Sequence, residues 1–84
     1  MRLTKRDFLD RTKILVLLQE EISLKNISKI MLVNEVEKQR TYLVKTDSEY
    51  FIVNDNKGDF RIALRRTIET LKFIVYEDSR NFLV

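Results

Sequence analysis

The sequence contains no cysteine, no histidine, no proline, no tryptophan and a single glycine. Without cysteine there is no disulfide staple, no thiol nucleophile and no thiolate set for zinc. Without histidine the chain lacks the commonest acid–base group, the commonest metal ligand and the side chain that changes charge near neutral pH. With one glycine no loop can wrap its backbone closely around phosphates, and no nucleophile elbow, phosphate loop or dinucleotide fingerprint occurs. The longest apolar run, Ile14-Leu15-Val16-Leu17-Leu18, is five residues, against the ~20 that a membrane span needs. It is also short for a signal-peptide core, and no small-residue cleavage site follows it. These absences set the expectation of a cytoplasmic protein that is not an enzyme and carries neither cofactor nor metal.

What is present is enough for a core. The 84 residues are 44% hydrophobic and 10% aromatic, which suits one domain over 1–84 and excludes disorder. The net charge of +3 comes from 16 basic and 13 acidic residues, with the basic excess at the two ends around a slightly acidic middle. That is a weak bias toward anionic partners and not a nucleic-acid footprint.

So few Gly and Pro predict long regular elements joined by few turns. Thr4 and Asp7 read as a variant capping box, with Leu3 and Phe8 at the positions of a hydrophobic staple. The helical spacing of Phe8, Leu15, Leu18 and Ile22 predicts a helix over about 5–24, closed by Lys25-Asn26. Leu9, Ile14 and Val16 widen its apolar stripe, so it is expected to be covered on more than one side. The period then changes, and Ile30–Val33 with Val36, Tyr42–Val44 and Tyr50–Val53 read as three strands. Breaks at Lys38-Gln39 and Asp47-Ser48 imply two hairpins. Asn54–Gly58 is the strongest loop, and Asp59 can cap a second helix to about Tyr76, with Phe60, Leu64, Ile68, Leu71 and Val75 as its stripe. The expected fold is α+β: a small α-β-β-β-α domain, a three-stranded antiparallel meander flanked by two helices. Leu15, Leu18, Val44, Phe51, Leu64 and Ile68 are the expected core. The tail Asn81–Val84 is too apolar for a solvent tail and is expected to pack on this chain or on a neighbour.

Two-residue turns at those breaks would place Met31, Val33, Tyr42, Val44, Phe51 and Val53 on one sheet face. Ile30, Leu32, Val36, Leu43, Tyr50 and Ile52 would share the other. Both faces are apolar, which an antiparallel sheet with one wet face should not be. If the helices share a face, Ile30, Leu32, Leu43, Tyr50 and Ile52 form a candidate protein interface, and a homodimer stacked sheet to sheet is the simplest way to bury it.

The candidate chemistry is thin. The Asn54–Asp59 loop has Val53 and Lys57 where calcium would need oxygen ligands, so a turn is the better reading. The carboxylate pairs Glu20-Glu21, Glu35/Glu37 and Asp55/Asp59 fall in segments that look solvated, which would leave their pKa values unseparated. Arg61, Arg65 and Lys72 share one stripe of the second helix. With Lys5 and Arg6 they are the candidate contact for nucleic acid or an acidic partner, although Glu69 interrupts the stripe and a solvated charged face is the ordinary reading. Tyr42 and Tyr50 could stack bases, but strand tyrosines more often pack their rings and leave the hydroxyl in water. The element order is similar to that of double-stranded-RNA-binding domains. Gly58-Asp59-Phe60-Arg61 and Arg65-Arg66 stand where that family carries its basic motif, but the lysine run is missing, so topology alone is shared.

Two functional expectations follow. The first is a non-catalytic protein-binding module, an inhibitor or regulator of a larger, nucleic-acid-handling complex of the kind that phage and mobile-element proteins target. That expectation draws on small proteins in general rather than on particular residues. The alternative is a nucleic-acid-binding regulator using the basic helix stripe.

Overall fold

In the computed structural model, residues 3–23, 26–67 and 80–83 are described. One helix, α1 (Lys5–Ile22), precedes the strands β1 (Lys29–Val36), β2 (Gln39–Lys45), β3 (Glu49–Asn56), β4 (Asp59–Thr67) and β5 (Arg80–Leu83). They form one sheet in the order β4-β3-β2-β1-β5, with every neighbouring pair antiparallel. The domain is α+β, as the sequence implied, but its details depart from the predicted three strands and two helices.

The capping box of α1 is present. The Thr4 hydroxyl accepts from the Asp7 N–H at 3.1 Å, and Asp7 Oδ2 accepts from the Thr4 N–H at 2.7 Å. The predicted staple is not: Leu3 packs against the core while Phe8 is 48% exposed. The helix stops at Ser23, which takes the left-handed conformation (φ 54°) and donates its N–H to the Leu18 carbonyl. The stop therefore comes before the predicted Lys25-Asn26, of which Lys25 lies outside the described residues. The buried stripe is Asp7, Asp10, Ile14 and Leu18, rotated from the predicted one.

The hairpin between β2 and β3 has the predicted register, with Tyr42 opposite Val53 and Val44 opposite Phe51. Thr46 closes its turn, accepting at Oγ1 from the N–H groups of Ser48 (3.3 Å) and Glu49 (3.0 Å). The hairpin between β1 and β2 turns at Glu37-Lys38, one residue earlier than predicted, with Glu37 at φ 55°. Its ladder also shifts between Leu32 and Asn34, a bulge at Val33. Because side chains alternate along a strand, that change of register exchanges the predicted faces of β1 on the Lys29 side of the bulge and leaves Val36 on its predicted face. Ile30 and Leu32 lie beneath α1 with Tyr42, Val44, Phe51, Val53, Ile14 and Leu18. Met31 and Val33 join Leu43, Tyr50, Ile52 and Leu64 on the opposite face.

The largest correction concerns residues 59–76. The loop reading of Asn54–Gly58 holds only for Lys57-Gly58, a primed two-residue turn with both residues at positive φ (54° and 94°). Gly58 is the residue that such a turn requires. Asp59 does not cap a helix; it begins β4 and pairs with Asn56. Phe60 and Leu64 fit a helical and an extended period equally well, and pairing along β3 decides between them. A bulge at Ala63 lets Ile62 face α1 while Leu64 faces away. The predicted helix over 68–76 lies outside the described residues, as do Ile68, Leu71, Lys72 and Val75. Of the apolar tail, Asn81–Leu83 belong to β5, which pairs with β1 on this chain, and Val84 lies outside the described residues.

Of the predicted core, Leu18, Val44 and Phe51 are fully buried, whereas Leu15 and Leu64 are half-buried. Phe51→Ala should therefore cost about 3–5 kcal/mol, and Leu64→Ala, on an outer strand, only about 1–2 kcal/mol. Urea unfolding of the two variants would test this, and equal losses would mean that the second face is as tightly packed as the first.

Candidate functional site

Acidic residues occupy two positions of the buried stripe on α1. Asp7 is fully buried and Asp10 is 5% exposed. Such a placement is costly unless the charge is paired and hydrogen-bonded. The partner comes from β2, where Arg40 alternates with the core residues Tyr42 and Val44 and so points at the helix. Its Nη1 donates to Asp7 Oδ1 at 2.8 Å, Asp10 Oδ2 at 3.3 Å and the Tyr42 hydroxyl at 3.2 Å. Its Nε donates to Glu35 Oε2 at 2.7 Å. The Tyr42 hydroxyl donates in turn to Asp10 Oδ2. A second layer lies beside this one: Arg6 pairs with Asp55 at 3.2 Å and Asp10 at 3.6 Å, and donates to the Lys38 carbonyl at 3.1 Å. Asp55, buried in β3, also accepts from the Gly58 N–H at 2.8 Å, which ties the primed turn into the network.

Four carboxylates thus face two guanidiniums, an acidic excess that the pKa values reflect. Burial pushes the Asp10 carboxyl above its ordinary value; the Tyr42 hydroxyl opposes this, and the nearby Asp55 charge adds to it. Burial also raises the Tyr42 phenol, reinforced by its bond to Asp10. For Arg40, burial works against the cation, but its bonds to Tyr42, Glu35 and Asp7 outweigh that and hold its pKa above normal. The arrangement ties the first turns of α1 to three strands, and its charged atoms point inward at one another.

The residues singled out from the sequence are dispersed. Ile30 and Leu32 are buried under α1, away from Leu43, Tyr50 and Ile52, so the five do not form one face. The register change in β1 is the reason. Leu43 and Tyr50 are themselves only 2% and 4% exposed within a single chain, so the centre of the second face is not an open docking surface. Arg61 and Arg65 do not share a helix stripe: Arg61 pairs with Asn54 on the face away from α1, and Arg65 pairs with Phe51 on the helix face. Arg61 is salt-bridged to Asp59 at 3.1 Å, and Arg65 lies 5.5 Å over the Phe51 ring with its Nε 2.9 Å from Glu49. Lys5 is exposed, and Arg6 belongs to the buried network's rim. Tyr42 and Tyr50 are packed, with the Tyr42 hydroxyl inside rather than in water. Asp55, read as solvated, is 1% exposed.

Sequence reasoning passed over Asp7, Asp10, Arg40 and Asp55 as a unit. A signal did exist, because each is in phase with its element's core residues: Asp7 and Asp10 with Ile14 and Leu18, Arg40 with Tyr42, and Asp55 with Val53. Among the described residues no helix is long and apolar enough to cross a membrane, and no group of His, Cys, Asp and Glu could hold a metal ion.

Above the network, the surface has two adjoining depressions of about 310 and 320 Å³. The first lies over Arg6, Leu9, Lys13, Lys38 and Lys57, and the second over Thr12, Val16, Leu17, Glu20 and Phe60. Lys13 and Gly58 border both. Leu9 and Val16, on the outer side of α1, are 54% and 45% exposed. Comparison with protein-family models, with curated proteins and with solved structures finds no match.

Two outcomes test the network. Arg40→Met leaves buried carboxylates without their cation and should cost about 3–5 kcal/mol, whereas Arg65→Ala, at an exposed pair, should leave the unfolding midpoint nearly unchanged. The pH test uses Asp10. Its pKa is raised in the fold above 3.8, so its stabilising contribution is complete below that value and is lost as pH climbs through the elevated one. Asp10→Asn, which resembles the protonated acid, should gain stability relative to wild type as pH rises through that window. Parallel pH profiles for the two proteins would show that Asp10 titrates normally.

Proposed function

We propose that the protein is a non-catalytic module that binds another protein through the outer face of α1. The observation that carries this reading is the exposure of Phe8, Leu9 and Val16 (48%, 54% and 45%) on a helix anchored from beneath by buried ion pairs. Polar side chains at Leu9 and Val16 would cost the fold little, and exposed apolar residues gathered on one element mark interaction surfaces more often than scattered ones do. The anchoring also preorganises the surface, which lowers the ordering cost of association. A module of this kind acts by occupying its partner's surface, which is the role of an inhibitor or regulator.

Affinity capture from a lysate of the source organism, with and without nuclease, tests the proposal. The wild type should retain protein partners after nuclease treatment. Leu9→Asp/Val16→Asp should release them while leaving stability within about 0.5 kcal/mol, as is usual for exposed positions. Capture that survives the double substitution, or that nuclease abolishes, overturns it.

A further inference from the structure

Three lysines from three separate elements stand around the first of the two depressions: Lys13 from α1, Lys38 from the β1–β2 turn and Lys57 from the β3–β4 turn. All three are exposed, and none forms an ion pair among the described residues. Four other basic side chains, Arg6, Arg40, Arg61 and Arg65, do find carboxylates. The acids that line the same depression, Asp10 and Asp55, are buried and bound to Arg6, so the charge presented to solvent is that of the lysines. The turns fix the backbone from which two of these lysines project. Lys57 occupies a left-handed position in the primed turn that Asp55 clamps, and Arg6 grips the Lys38 carbonyl at 3.1 Å.

The depression continues past Lys13 and Gly58 onto the apolar floor of Val16, Leu17 and Phe60. The Lys13 Nζ lies 5.6 Å over the Phe60 ring, so this cation stands where the basic end and the apolar floor meet. From Arg6 to Glu20 the groove follows α1 for about 21 Å, at ~1.5 Å per residue. A partner that fills it must match a basic end and an apolar floor together. We infer that the occupant of this groove is an acidic peptide segment of a partner protein, its carboxylates on Lys13, Lys38 and Lys57 and its apolar side chains on Val16, Leu17 and Phe60. The inference rests on the proposed binding role of α1 and adds the chemistry of the partner. Complementary charge at the basic end would set orientation and association rate, and the apolar floor would supply most of the affinity.

The test is selection of a displayed library of random 16-residue peptides on the immobilised full chain, followed by affinity measurement on the variants. The enriched peptides should be rich in Asp and Glu with interspersed Leu, Ile or Phe. Their affinity should fall at least tenfold on Lys38→Glu/Lys57→Asp, a pair of exposed turn positions, with circular dichroism confirming the fold. Replacing the peptide acids by lysine should restore binding to that doubly substituted protein. Peptides that need Leu9 and Val16 but are not acidic, and ignore the lysine substitutions, overturn the partner chemistry and leave the binding face standing. Peptides indifferent to both sets, or a selection that enriches nothing, overturn both. A mixed-sequence DNA duplex that displaces the peptides and depends equally on Lys38 and Lys57 also overturns the inference, because the site would then read a polyanion.

Discussion

The Arg40 guanidinium is the contact on which the rest of the structure depends. It lies inside the domain, and on its own it would be among the most expensive groups to bury. It is tolerated because Asp7, Asp10, Glu35 and Tyr42 surround it with acceptors. The dependence is mutual, since Asp7 and Asp10 could not sit on the buried side of α1 without it. Apolar contacts would let a helix slide or rotate on the sheet with a graded loss of energy. A charge that must meet its partners within about 3 Å permits no such freedom. The network therefore sets which side of α1 faces the sheet, and so which side faces water.

That constraint explains how much of the fold was legible in the sequence. The capping box, the three central strands and the Asp47-Ser48 hairpin rest on local propensity and local hydrogen bonds, and the residues that carry them are neighbours. The rotation of α1 rests on a contact between residues 33 apart in sequence, Asp7 and Arg40. Read by hydrophobicity alone, Phe8 belongs inside and Asp7 outside; the pairing reverses both. The strand at Asp59–Thr67 was hidden for a related reason. Its apolar residues suit two periods, and only the neighbouring edge of β3 makes the extended one favourable.

The surface residues were legible one at a time but not as a group. Lys13, Lys38 and Lys57 are ordinary basic residues in a chain that has many. The convergence of two hairpin turns on one end of α1 brings them together, and nothing in their spacing announces it. Conversely, Arg61 and Arg65 look like partners at helical spacing and are parted by one extra residue at Ala63. In both cases it is the pairing of strands and turns, and no local spacing, that decides which side chains become neighbours.

The bulge at Val33 has a consequence for how this sequence can change. Beyond it, Asn34 pairs with Thr41 and Glu35 with Arg40, so Glu35 comes onto the α1 side and meets the Arg40 Nε. Were Val33 paired with Thr41 instead of bulged, Asn34 would stand opposite Arg40 and the carboxylate would point to the other face. The bulge works as a frameshift in space, separating a stretch that reads its partner in one phase from a stretch that reads it in the other. Point changes within either stretch leave the phase intact. A one-residue deletion at Val33 would only regularise the ladder, with Glu35 still opposite Arg40, whereas a deletion at Val36 would bring Asn34 opposite Arg40 and turn the carboxylate away, so this strand can lose a residue at the bulge far more readily than between the bulge and the turn.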